Sequence, residues 1–230
     1  MENIFKGLHF DKDIVMLCVV LYLKNPLSSR ALEDIVTVRN LSIDHATISR
    51  WVVKFSAYIE KKYRKRSRKL LKKWYVDETY VKVKGHWMYL YRAIDRNHET
   101  VDFYFSSNRS KKAAKRFFER MIKNHGIPEE ITMDKSGANL AGIEEINKRL
   151  EKKGEKLIKI RQIKYLNNRL EQDHRTIKRK TSQIQTFKSF HSAKFTLAGI
   201  EIMHAITKNL KRTGDYCLKN LINNIQELAA

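Results

Sequence analysis

The stretch "WYVDETYVKV", residues 74–83, decides the fold. Aromatic and β-branched residues dominate it, and strict alternation sets Tyr75, Asp77, Thr79 and Val81 on one face of a strand. Gly85 breaks the run, and "HWMYLYRAID" (86–95) resumes it. A turn around Arg96–Asn97 leads to "TVDFYFS" (100–106). Three strands joined by short loops predict an antiparallel meander. The period then lengthens to 3.6: Ala113, Ala114, Phe117, Phe118 and Met121 share one side of a helix over Ser110–Asn124. "EEITMD" (129–134) reads as a short strand ending at Asp134, followed by a helix over Leu140–Glu151 and a fifth strand in "LIKIRQI" (157–163). Another helix begins in "YLNNRLEQDHRTIKRK" (165–180). The order βββαβαβα defines one mixed α/β domain.

Charge limits the partners. The 230 residues carry 47 Lys+Arg against 25 Asp+Glu, a net +22, with 42% hydrophobic residues to fill a core. Such an excess repels itself and is favourable only against a polyanion, whether DNA, RNA or an anionic membrane. Compositional bias toward Lys accounts for part of it but not for its clustering, and the layout favours nucleic acid. Cys18 and Cys217 are the only cysteines, with no CxxC pair, which argues against a zinc finger or disulfide scaffold and for a reducing, cytoplasmic setting. The longest apolar run, Ile14–Leu23, is about half a membrane span and reads as a buried helix. No membrane role and no small-molecule substrate are expected.

Upstream of the strands the chain is helical. Pro26 and Ser28-Ser29 separate a first helix from a second over Arg30–Thr37. Asn40 suits a left-handed turn in "VRNLS" (38–42), with Ser42 a cap for the next helix. There Ile48, Trp51, Val52 and Phe55 form one apolar face. The outer face carries Ala46 and Arg50, flanked by Thr47, Ser49 and Lys54. Two helices around a tight turn describe a helix-turn-helix, with Arg50 placed to read a guanine; an ordinary helical hairpin has the same pattern. "KKYRKRSRKLLKK" (61–73) follows, with nine basic residues and no acid. Arg64, Arg66 and Arg68 are its candidate phosphate contacts, against the alternative of a solvated charge run.

Five strands in this order are the layout of the ribonuclease-H-like fold. There, metal-binding carboxylates stand on the first strand, at the end of the fourth, and on the helix after the fifth. Asp77, Asp134 and Glu171 occupy those places. With 25 acids in the chain their number carries no signal; their position does. Magnesium prefers oxygen ligands and keeps waters for a substrate phosphate, and two such ions activate the attacking oxygen and stabilise the leaving one. On the late helix Glu171, His174, Arg175 and Lys178 form one stripe, suited to holding a DNA phosphate over the metals. Asp173 is turned roughly 200° away from Glu171. A surface ion pair between Glu171 and Arg175 is the plainer alternative. A last helix over Ser192–Lys208 and an amphipathic tail carrying Leu218, Leu221, Ile222, Ile225 and Leu228 complete the chain, the tail packing onto the protein or mediating self-association.

"WYVDETYVKVKGHWMYLYRAID" (74–95), "TMDKSGAN" (132–139), "KYLNNRLEQDHRTIKRK" (164–180) and "FKSFHSAKFTLAGIEIMH" (187–204) closely resemble the insertion-sequence-six family of bacterial DDE transposases. The resemblance runs from about Phe5 to Lys211. It implies that Asp77, Asp134 and Glu171 are the catalytic triad and metal ligands, with Lys178 the associated basic residue. It further implies an N-terminal helix-turn-helix that binds the element's terminal inverted repeats. Divalent metal, two Mg2+ with Mn2+ as substitute, would serve to expose 3′ ends and join them to target DNA, typically replicatively through cointegrates. Joining two ends implies a homodimer or higher assembly.

The chain departs from that family at Ser29, where an aromatic is usual, at Asn40, where Gly is usual, and in "KTSQIQTFKSF" (180–190), which lacks the expected Pro and Gly. The expected division is a helix-turn-helix domain over 1–60, a basic linker over 61–73, a ribonuclease-H-like catalytic domain over 74–213 and a tail over 214–230. A DNA-binding regulator without chemistry and a hydrolytic nuclease acting on RNA–DNA hybrids are the competing functions. The intact acids speak against the first and the N-terminal reader against the second.

Overall fold

The structure is a computed structural model that describes residues 4–66, 68–163, 175, 177–182, 184 and 187–229. It divides into two compact units, one comprising Met1–Arg66 and Thr176–Ala230, the other Ser67–Arg175.

The second unit is built on the predicted sheet. Strands β1 (Lys73–Val83), β2 (His86–Asp95) and β3 (Thr100–Ser106) form the meander; β4 (Glu130–Met133) and β5 (Lys159–Gln162) complete the order β3-β2-β1-β4-β5. β1–β2 and β2–β3 are antiparallel, whereas β4 runs parallel to both β1 and β5. Lys84 and Gly85, both at positive φ, make a two-residue turn that pairs Val83 with His86. Such a turn matches the right-handed twist of the strands, so it fixes every pairing outward from it. Helices α4 (Lys111–His125) and α5 (Gly137–Lys152) pack on the sheet. Trp74 and Val76 of β1, Met133 of β4, Phe117 and Phe118 of α4, and Ile143 of α5 share one buried cluster. Each such side chain contributes about 1.5–3 kcal/mol by leaving water. The helices approach closely because Gly142 has no Cβ; one there would meet Ala114 Cβ at 3.1 Å.

The first unit is helical: α1 (Lys12–Lys24), α2 (Ser29–Thr37), α3 (His45–Lys65), a helical stretch at 177–182, α6 (Phe190–Thr213) and α7 (Leu218–Ala229). α1 buries Val15, Met16, Val19, Val20 and Leu23, as its apolar run requires. Asn40 takes φ 57°, the left-handed turn conformation expected of it. The cap of α3 is Asp44 rather than Ser42: its carboxylate accepts from the amides of Ala46 (2.8 Å) and Thr47 (3.0 Å). A carboxylate also offsets the helix's positive N-terminal end, which a hydroxyl does not. α7 buries Leu221 and Ile225 completely and packs on α1, α3 and α6, so the tail is an integral helix of this unit.

The expected division 74–213 does not match the packing of α6. That helix belongs with 1–66, where it runs against α3 and α1. Gly199 explains the fit: a Cβ there would lie 2.3 Å from Ser56 Oγ and 2.9 Å from the Leu23 methyls. Chain continuity with the sheet does not reveal which surface an apolar helix covers. Among the described residues, no helix is long and apolar enough to cross a membrane.

Candidate active site

Asp77 and Asp134 meet through strand register. β1 and β4 pair in parallel as far as Val76 with Met133, and the next residue on each strand is an aspartate. Both are half-buried. Val76 lies in the core under the helices, so alternation turns Asp77 to the opposite face of the sheet. β4 stops at Asp134 because the chain turns there: Ser136 N–H donates to the Asp134 carbonyl at 2.7 Å, and Ser136 becomes the N-cap of α5. Asp134 is therefore not the capping residue of that helix.

Other acids of the sheet are engaged in the fold. Asp95 accepts amide hydrogens from Leu71, Asn97 and Glu99 at 2.8–2.9 Å and so closes the β2–β3 turn. Asp102 is held by two Arg120 nitrogens at 3.1 and 3.2 Å. Glu130 pairs with Arg161 at 3.3 Å. Glu78, next to Asp77 in sequence, is paired with Arg109. Burial, with the nearby Glu78 carboxylate, pushes the Tyr91 phenol well above its usual range. Asp77 and Asp134 are the two that stand side by side.

Arg92, absent from the sequence-level candidates, is the cross-strand partner of Asp77 and is 1% exposed. Its signal was present in the two-residue Lys84-Gly85 turn, from which the register counts Asp77 directly opposite Arg92. Opposed charges on neighbouring strands favour the ionised carboxylate.

The donor chemistry fits a hard divalent cation: two half-buried carboxylates on neighbouring strands, one within β1 and one just past the end of β4, offer oxygen ligands. The described residues contain no group of three His, Cys, Asp or Glu able to hold a metal. Glu171 and His174, the remaining candidates of the late helix, lie outside the described residues. Arg175 and Lys178 are helical and exposed.

The N-terminal candidates separate by their partners. Ile48, Trp51, Val52 and Phe55 are buried as expected, while Ser49, Arg50 and Lys54 are exposed and Thr47 is half-buried. The Thr47 hydroxyl donates to Asp44 at 2.5 Å and accepts from Arg50 at 2.6 Å, a chain that orients the guanidinium. In the basic run, Arg64 pairs with Glu60 at 2.7 Å and Arg66 is exposed. Arg68 is turned into the protein: its guanidinium donates to the carbonyls of Thr100 and Val101, the latter at 3.0 Å. Its donors clasp the start of β3, which removes it from the expected phosphate contacts.

A mixed sheet in the order 3-2-1-4-5, with one aspartate in the middle of its first strand and another just past the end of the adjacent fourth, defines a ribonuclease-H-like domain. A family model described as a DDE domain matches residues 71–210, and one described as Transposase IS66 family matches residues 9–128. The chain is 36% identical over 211 residues to the transposase for insertion sequence-like element IS431mec of Staphylococcus aureus, covering 92% of each chain. It has the same identity and coverage with the transposase for insertion sequence element IS257 in transposon Tn4003, also of Staphylococcus aureus. Among solved structures it is similar to the HTLV-2 integrase catalytic core domain in complex with magnesium, at TM-score 0.40 and 18% identity over 68% of this chain and 83% of that one. The chain belongs to the DDE transposases of bacterial insertion sequences. It is thus an enzyme of metal-dependent phosphoryl transfer on DNA.

Proposed function

We propose that this transposase cleaves the 3′ ends of its element and joins them to target DNA, replicatively through cointegrates. The observation that carries the reading is the juxtaposition of Asp77 and Asp134 across the β1–β4 register. With Glu171 they would hold two Mg2+ ions, for which Mn2+ substitutes. Bound there, the ions supply Lewis acidity to the scissile phosphate and charge stabilisation for the leaving oxygen. The protein's part is positional. The sheet fixes two carboxylates, Asp77 within β1 and Asp134 just past the end of β4, and Arg92 keeps a positive charge opposite Asp77. Lys178, and the stripe it shares with His174 and Arg175, supports the DNA backbone. No covalent protein–DNA intermediate is required, so no Ser or Tyr serves as nucleophile.

α2 and α3 form the reader of the terminal inverted repeats. Arg50, held by Thr47, faces base edges, with Ser49 and Lys54 beside it and Arg66 contacting phosphate. Two ends must be joined in one reaction, so the working form is a homodimer or larger on DNA.

The test uses a duplex carrying the element end, a target duplex and Mg2+. Wild type nicks at the 3′ end and gives joined products. Asp134→Ala retains end binding and loses nicking by more than about a thousandfold, roughly 4 kcal/mol of barrier. Equal nicking by the two proteins would refute the assignment. Cleavage of RNA–DNA hybrids without joined products would identify a nuclease instead.

A further inference from the structure

The helical unit contains a cavity of about 220 Å³ that the transfer chemistry does not use. It opens between α1, the 177–182 stretch and α6. Its polar lining is Lys24, Lys180, His204, Thr207, Lys208 and Lys211, and among the described residues no carboxylate lines it. Glu201, the nearest acid along α6, is buried one turn before His204 and is not part of the lining.

Lys180 is the unusual member, an ammonium on a side chain only 3% exposed. It donates to the Leu27 carbonyl at 2.7 Å and lies 3.8 Å from the centre of the Tyr22 ring, and it meets no carboxylate among the described residues. Lys24 donates to the Tyr216 hydroxyl and shares that ring with Lys211, at 4.7 and 5.3 Å from its centre. A carbonyl, a phenol oxygen and two aromatic faces are neutral partners, weak compensation for Lys180, Lys24 and Lys211 brought to one cavity. The strain shows in their acidities: burial pushes Lys180 down to about 8. Burial first and the charge of Lys211 second hold Lys24 below the usual lysine range. An anion seated among them would offset that cost. One with several acceptor oxygens would also engage the Thr207 hydroxyl and the imidazole of His204.

We propose that this cavity is an anion site that holds a phosphate group. Two sources share that chemistry: a backbone phosphate of bound DNA, and free phosphate. The site lies outside the Asp77–Asp134 chemistry, and its test omits divalent metal.

Duplex binding is measured over a potassium chloride series for wild type, Lys24→Gln/Lys211→Gln, Lys180→Met and a control, Lys152→Gln/Lys153→Gln, which removes the same charge elsewhere. Thermal unfolding is followed in parallel with and without inorganic phosphate. If the site takes DNA, the salt slope of log K falls by about 0.9 in both cavity variants and not in the control. If it takes free phosphate, phosphate raises the melting temperature of wild type and control but of neither cavity variant. Should Lys180→Met fail to fold, the double variant alone carries the test. An unchanged slope together with no response to phosphate overturns the proposal, as does a control that behaves like the cavity variants. Asp134→Ala protein should bind as wild type does, so loss of nicking and loss of this site are separable.

Discussion

Asp77 and Arg92 face each other across the β1–β2 hairpin, in a register set by the two-residue turn at Lys84-Gly85. On the proposed reading Asp77 is a metal ligand, and a positive charge on the facing strand residue favours the ionised carboxylate that such a ligand needs. Arg92→Met should move the acid limb of metal-dependent nicking upward, and Arg92→Lys should restore most of it. Nicking rate against pH reads this directly. A uniform drop in rate with no displaced limb would assign Arg92 to folding alone.

Arg66 and Arg68 stand two residues apart with opposite employment. Arg66 is exposed, whereas Arg68 clasps the carbonyls of Thr100 and Val101. Arg66→Ala should lower the salt slope of DNA binding by about 0.9 and leave stability unchanged. Arg68→Ala should cost about 1.5–3 kcal/mol in urea unfolding, the value of hydrogen bonds from a charged donor, with the slope intact.

Gly199 allows α6 to touch Ser56 and Leu23. Gly199→Ala should destabilise the protein by about 1–3 kcal/mol, because backbone and side chains must move to admit the methyl group. Pairing it with Ser56→Gly should recover part of the loss, since the closest obstacle is the serine hydroxyl.

Glu145 on α5 receives Lys115 and Lys111 of α4, and hydrogen bonding to Lys115, then to Lys111, holds its carboxyl down to about 2. A folded-state pKa below the unfolded one stabilises only where the carboxylate is ionised. The contribution is complete above pH about 4.5 and fades as the pH falls toward 2. Glu145→Gln should therefore flatten the acid side of the stability–pH curve while changing little under acid conditions. Urea midpoints over that range check it.

Much of the fold was legible because its signals are local. Alternation in residues 74–106 marked the meander, and Ser110 and Gly126 bracket α4 much as the helical period predicted. Helix ends moved by a few residues. α5 begins at Gly137, three residues before the expected Leu140, since capping by Ser136 outweighs the helix cost of glycine. Asp44 displaced Ser42 as the cap of α3 for a similarly local electrostatic reason. Arg68 misled because nothing in a basic run distinguishes a guanidinium facing solvent from one folded back onto carbonyls.

The sequence by itself determined the elements, the transposase family and Asp77 and Asp134 as the candidate carboxylates, since periodicity, turn chemistry and motif spacing are properties of neighbouring residues. The Asp77–Arg92 pairing follows from the two-residue turn at Lys84-Gly85, whose conformation the structure shows. Only the tertiary structure decided that β4 lies parallel beside β1, bringing Asp134 next to Asp77, and that α6 joins α1 and α3. It alone gathered Lys24, Lys180 and Lys211 around one cavity. Those outcomes depend on which distant apolar surfaces fit one another, and such fits are made by shape and close packing between segments far apart in the chain.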